Sequence, residues 1–450
     1  MRGLTVFAAV CFAVFLQLIY AFEIVPGFAY AGYRWRPIEA LDAVLITMLA
    51  AAPAVWLPMQ LSRPSQLMYW LLYVVAYVPS VLIPMYALSM SPSEVMRYPL
   101  ALLLAFALLG GIYLLPQLRL KRIELTPWLF WTGVGALTLG ATAVIIATYG
   151  LPQALPALDA IYEVREEYSE GLAASGRVVG LSVAWLVNVA GPLHMAVGLV
   201  AGRRLFLLSG LVVELMVFAT TGYKSALLAP AALIGVFLLV RFGGRALGAL
   251  VSLGVLALMF FAWSVGALFD QVVVMSWLVR RFLVTVGLVA GRFYEFFSEN
   301  GFARLGHSVL APFVDAPYDL APPYLVGLAY EGRLFSNNAN FWADGYANFG
   351  FFGVFVATVV VAGVAYLYDS TSRGFSGRQR EVLVLLLVMP SVTLSNSAVI
   401  TTLASHGMVL VLLVAMLCPP KALLVRDGSR AFPRLTRRAP RHTLSASDAP

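Results

Sequence analysis

Ser336-Asn337-Asn338-Ala339-Asn340-Phe341-Trp342-Ala343-Asp344-Gly345-Tyr346 closes the only long interruption of an otherwise apolar chain. That interruption, Asp270 to Asn348, carries Arg280, Arg281, Arg292, Arg304 and Arg333 among aromatic residues. No other stretch is long enough to fold outside a membrane. What surrounds it therefore decides the fold.

Around it, 61% of the residues are hydrophobic and 12% are charged, and the mean hydropathy is +0.87. A soluble domain has about a quarter of its residues charged. The composition thus predicts an all-α polytopic membrane protein, because in lipid only helices and closed barrels satisfy their own backbone. Twelve apolar spans are expected, at roughly 4–22, 40–61, 67–90, 97–118, 127–149, 178–200, 205–222, 225–242, 246–268, 347–368, 381–400 and 406–420. The last pair has re-entrant insertion as its alternative. The stretch from Leu4 to Phe22 is too long for a signal-peptide core and reads as a first helix, with Ala29-Tyr30-Ala31 as an alternative cleavage site.

Orientation follows the basic residues. With the N-terminus inside, Arg2, Arg63, Arg119, Lys121, Arg122, Arg203, Arg204, Arg241, Arg245, Arg373, Arg378, Arg380 and seven more between Lys421 and Arg441 fall on the cytoplasmic side, 19 of 30. Cytoplasmic enrichment in Lys and Arg sets topology. Both termini are then cytoplasmic, and two loops, about 150–177 and 270–346, face the far side. Residues 1–420 form one membrane domain. The tail 421–450 is basic, then rich in Ser, Ala and Pro, and is expected to be disordered or to lie on anionic lipid. The net charge of +8 is spread over short loops and this tail, which speaks against a nucleic-acid face.

Cys11 and Cys418 lie in or at the end of apolar segments and give no disulfide framework. No two of His194, His307, His406 and His442 have metal-ligand spacing, so no metal or cofactor is implied. Glu214, inside an apolar span, is either a proton relay or a structural partner.

Several residues suit an anionic, sugar-bearing ligand. Arg281 and Arg292, eleven apart, fall on one helical face and offer two guanidinium forks to phosphate, unless they anchor the helix at headgroups. Arg165 stands among Glu163, Glu166, Glu167 and Glu170. These are either ordinary helix pairs or an arginine positioned beside a general base. Lys224 follows a glycine break at Thr220-Thr221-Gly222-Tyr223 and meets a lipid phosphate or snorkels. Asn338, Asn340, Trp342 and Tyr346 offer amides and ring faces to a glycan, or cap a helix start. Gly345, Gly350 and Gly353 permit close backbone approach to a ligand or to a neighbouring helix.

Four segments together resemble the Wzy-type oligosaccharide repeat unit (O-antigen) polymerases of bacterial inner membranes. Tyr162-Glu163-Val164-Arg165 resembles the Y-x-x-R segment of their first outer loop. Thr221-Gly222-Tyr223-Lys224-Ser225 resembles T-G-x-K-S. Arg281 to Gly287 and on to Arg292-Phe293-Tyr294 resembles the start of their large loop, with Val286 where the family pattern has proline. Asn338-Ala339-Asn340 through Asp344, Tyr346, Phe349-Gly350 and Gly353 resembles the loop's exit, N-x-N…D-x-Y-x-x-F-G-x-x-G. The likeness covers roughly Tyr162 to Gly353.

The resemblance implies a GT-C/O-antigen polymerase-ligase-like fold and a metal-independent glycosyltransferase. It implies donor and acceptor glycans carried on undecaprenyl diphosphate, membrane lipid as surroundings, and a chain-length regulator and a flippase of the same pathway as partners. It implies that Arg165 and Arg281 bind diphosphate, with Arg292 and Lys224 assisting. Glu163, Glu166 or Asp344 is then the base, and Tyr162, Asn338, Asn340, Trp342 and Tyr346 bind substrate.

Overall fold

The computed structural model describes residues 1–157, 160–308 and 310–423, and the side chains of 162 and 173–175 fall outside that description. The tail from 424 onward, to which the sequence assigns a disordered basic segment, lies outside the described residues.

All regular structure among the described residues is helical. In chain order the helices are α1 Arg2–Ala31, α2 Ala40–Val55, α3 Ser65–Ala87, α4 Pro92–Leu114, α5 Pro127–Tyr149, α6 Ile161–Ser175, α7 Arg177–Ala201, α8 Arg204–Thr221 and α9 Lys224–Gly243. There follow α10 Leu247–Phe269, α11 Val272–Asn300, α12 Pro322–Glu331, α13 Phe341–Thr371, α14 Gly377–Leu386, α15 Val388–Leu394, α16 Val399–Ala404 and α17 Met408–Leu417. Local chemistry sets many starts. Ser91 with Glu94, and Ser376 with Gln379, form capping boxes on α4 and α14. Pro92, Pro127 and Pro322 sit in first turns, where a missing N–H costs nothing.

Ten helices among the described residues are long and apolar enough to cross a membrane, against the twelve spans expected. The difference has identifiable causes. α2 is short. α9 and α10 run together as one 46-residue stretch, broken at Gly244 with φ 47°. The region of the expected eleventh span is split between α14 and α15. The eighth candidate, α11, is a 29-residue helix inside the expected outer loop.

Hydrogen bonds sort the connections onto two ends. At one end Arg63 donates to the Ile112 and Leu115 carbonyls (3.0 and 2.7 Å), Arg373 to Gln117 O and Arg378 to Val200 O (both 2.8 Å). The short basic connections thus gather together. At the other end Arg36 donates to Leu88 O (2.7 Å) and the Ser89 amide to Glu295 (2.6 Å). There too Tyr294 donates to Glu94 O (2.8 Å).

α11 packs along α3. Near its start the Arg280 guanidinium lies 4.5 Å from the Phe28 ring centroid, and near its finish Tyr294 and Glu295 hold the ends of α4 and α3. Gly287 lies against Pro79 and Ile83 and Gly291 against Pro84 and Leu88, where the absence of side chains lets the two backbones approach side by side.

α13 is bent back on itself. Phe349 (φ −147°) and Gly350 (φ 61°) break it, and the 341–348 half returns along the rest. Trp342 Nε1 donates to Thr358 Oγ1 at 2.9 Å, although sixteen residues of straight helix would separate them by about 24 Å. Gly345 and Gly353 touch backbone to backbone, and a Cβ on either would collide with the other's carbonyl. A neighbouring helix segment, not a ligand, is what these glycines admit.

The last helices form a broken hairpin. Thr393 donates to Asn188 (3.2 Å), and Gly407 packs on Trp185 and Val189, so the polar turn between α15 and α17 meets the middle of α7.

Candidate functional site

Gly222 ends α8 with φ 63°, and the first turn of α6 rests on it: a Cβ there would lie 2.8 Å from Ile161 O and 3.5 Å from Arg165 Cβ. The next residue, Tyr223, stands 5.8 Å beneath the Arg165 guanidinium. Its ring meets Tyr168 edge-on at 5.3 Å, and Tyr168 packs in turn against Tyr149. Burial pushes the Tyr168 phenol up. It does the same to the Tyr223 phenol, which Arg165 opposes, so both rings stay neutral platforms at physiological pH.

Lys224 opens α9, and its Nζ lies 4.6 Å from the Trp277 ring centroid. Trp277 belongs to the π-helical stretch Met275–Val284 of α11, one turn before the exposed Arg281. Arg165 on α6 and Lys224 on α9 are thus each held against an aromatic ring, and Arg281 follows Trp277 by four residues on α11. No side chain caps the first turn of α9, which adds the positive end of a helix dipole. Such a cluster is chemically suited to a phosphate-bearing anion. Glu163 and Glu166 sit on the same helix as Arg165 and are exposed.

Arg292 is elsewhere engaged. It is 4% exposed, bonds Glu331 Oε1 at 3.3 Å and the Gly32 carbonyl at 3.3 Å, and lies over Tyr330. Eleven residues place it about 16 Å from Arg281 along the helix, too far to share one phosphate. The one-face pairing read from spacing does not produce a joint anion site. Arg292 instead clasps α12 and the 32–39 connection onto α11, and Tyr330 reinforces this by donating to Glu295 (2.7 Å).

The Asn-rich run is mostly structural. Asn340 is fully buried, its Oδ1 accepting from the Trp342 and Ala343 amides (3.1 and 3.0 Å) while its Nδ2 donates to Ser80 (2.8 Å). Trp342 is equally buried, against Phe341 and Phe106. Tyr346 is 5% exposed among Tyr98, Tyr294, Phe302 and Phe351. These three offer no ring face or amide to a glycan in this structure. Asn338 is exposed and accepts from Ser336 (3.1 Å). Asp344 is half-buried on the returning half of α13, and no donor among the described residues reaches its carboxylate. The Tyr162 side chain lies outside the description.

Sequence reasoning passed over Trp277 and Tyr223 as parts of the site. The available signal was an aromatic residue one turn before Arg281 and another directly before Lys224.

The fold and this site define a multi-pass helical membrane protein. No protein-family model, curated protein or solved structure matches the chain.

Proposed function

We propose that this chain is a membrane glycosyltransferase of the O-antigen polymerase kind. It joins oligosaccharide repeat units carried on undecaprenyl diphosphate, at the outer face of a bacterial inner membrane. The observation that carries the reading is that Arg165 lies over Tyr223 and Lys224 over Trp277, which ties together α6, the turn before α9 and the stretch of α11 that holds Arg281. These are three of the four segments that resemble the family.

In this reading Arg165 and Arg281 hold the donor diphosphate and Lys224 assists. Preorganised cations stabilise the charge that develops on the leaving group as the glycosidic bond to phosphate breaks. A carboxylate takes the acceptor hydroxyl proton: Glu163 or Glu166, which share a helix with Arg165, or else Asp344. Arg292 has a positioning role, holding α12 in place. The segregation of basic connections to the opposite end supports cytoplasmic termini and a twelve-segment path, with α9 and α10 counted separately, α14–α15 and α16–α17 as one segment each, and α11 lying at the outer face. A chain-length regulator and a flippase of the same pathway are the expected partners.

The test is the size distribution of surface and lipid-linked glycan in a deletion strain, complemented by wild type or by Arg281→Ala. Collapse of a ladder to single units, restored only by wild type, supports the polymerase. Single units that never cross the membrane make the protein a flippase. Long polymer stranded on its carrier makes it a ligase-like transferase.

A further inference from the structure

Glu214 stands on α8, ten residues from Arg204 and seven from Thr221, or about 15 and 10 Å from the two ends of the helix. It is 0% exposed, and neither carboxyl oxygen has a hydrogen-bond partner among the described residues. Its Oε1 fills the space that Gly191 leaves by lacking a side chain. A Cβ at Gly191 would also sit 3.1 Å from the Leu186 carbonyl, so the carboxyl and that carbonyl border one small space. The backbone is widened there: Leu186–Ala190 is π-helical, and the Gly191 amide donates to Leu186 O. A carbonyl oxygen has a second lone pair.

No charge balances Glu214. The elements packed on α8 are α7, α9 and α6. Their titratable groups are Arg177 at the start of α7 and His194, which meets Ser209 of α8 at 3.2 Å, Lys224 and Arg241 at the ends of α9, and Glu163, Arg165, Glu166, Glu167, Tyr168 and Glu170 on α6, where the Tyr162 side chain lies outside the description. Arg204 begins α8 itself. None of them forms an ion pair with Glu214 among the described residues. An unpaired carboxylate in a dry membrane interior is strongly disfavoured. A bound metal cation would need several more oxygens than this one carboxyl and one engaged carbonyl. A proton needs only the carboxyl.

We propose that Glu214 and the widened turn Leu186–Gly191 form a proton-binding site inside the membrane, in which the carboxylic acid O–H donates to the Leu186 carbonyl. The packing of α7 against α8 is then proton-linked, because ionisation would leave a charge where no partner exists. This site is independent of the glycan-transfer reading.

The test uses the purified full chain in lipid nanodiscs. Infrared difference spectra of wild type minus Glu214→Gln at neutral pH are expected to show a carboxylic-acid C=O band, and a hydrophobic carbodiimide is expected to modify Glu214. Modification should fall as pH rises, and the melting temperature should fall with it in wild type while remaining flat in Glu214→Gln. Carboxylate bands in place of the acid band, with no adduct at Glu214, overturn the proposal. The adduct is read on the wild-type protein, so it decides the question even where Glu214→Gln folds poorly.

Discussion

Lys224 Nζ lies 4.6 Å from the centroid of the Trp277 ring, so the first residue of α9 is held against α11 one turn from Arg281. A cation over an indole face is worth about 0.5–2 kcal/mol and fixes direction as well as distance. The contact ties the turn after α8 to α11. It is the geometric reason to treat the three cations as one site.

Arg281→Ala and Arg165→Ala should each reduce chain growth by about 10- to 100-fold or more, the effect of losing a charge-assisted hydrogen bond of roughly 1.5–3 kcal/mol. Both proteins should reach the membrane in normal amount, because both side chains are exposed. Trp277→Ala should weaken binding of a lipid diphosphate, measured by calorimetry in detergent. Normal ladders from Arg281→Ala would remove the diphosphate role.

The double change Glu163→Gln/Glu166→Gln should slow chain growth by about 10²- to 10⁴-fold, the usual contribution of a positioned base, while lipid diphosphate still binds. Asp344→Asn in parallel should leave the rate within a few-fold of wild type. The opposite pattern in the same rate measurement would place the base on the α13 hairpin.

Arg292→Ala should lower stability by about 1–3 kcal/mol, since it leaves Glu331 with only Asn337 and Arg333 and leaves the Gly32 carbonyl without a donor. Thermal unfolding in detergent reads this. Arg292→Met/Glu331→Leu should recover part of the loss, because it leaves no buried charge unpaired, although the Gly32 carbonyl and the Asn337 amide still lack partners. No recovery would mean that the ion pair is not what fastens α12.

Gly345→Val should prevent α13 from folding back, since the side chain would strike the Gly353 carbonyl. The expected result is little or no protein in the membrane fraction. Thr358→Val, which only deprives Trp342 of its acceptor, should cost about 1–2 kcal/mol and leave the protein abundant. Full accumulation of Gly345→Val would contradict the hairpin.

The membrane class and most helix positions were legible, because bilayer burial demands long apolar runs and those are written locally. The cation segments were legible as well, since Arg165, Lys224 and Arg281 stand at interruptions of those runs. The rings they meet were not, because those contacts depend on α6 settling on Gly222 and on Trp277 of α11 reaching Lys224. Composition qualifies α11 as a span; only its contacts with Pro79, Pro84 and Ser89 show that it packs along α3.

Asn340, Trp342 and Tyr346 show the other limit. The chemistry that binds a sugar, amides beside aromatic rings, also caps and packs a helix, and one sequence cannot separate the two uses. The fold-back of α13 separates them: it seals Trp342 against Thr358 and uses up the Asn340 amide on its own helix and on Ser80. Sequence by itself determined a helical membrane chain with its cations at the breaks. Tertiary structure decided which of those groups face outward, because burial is set by contacts between segments that local sequence does not encode.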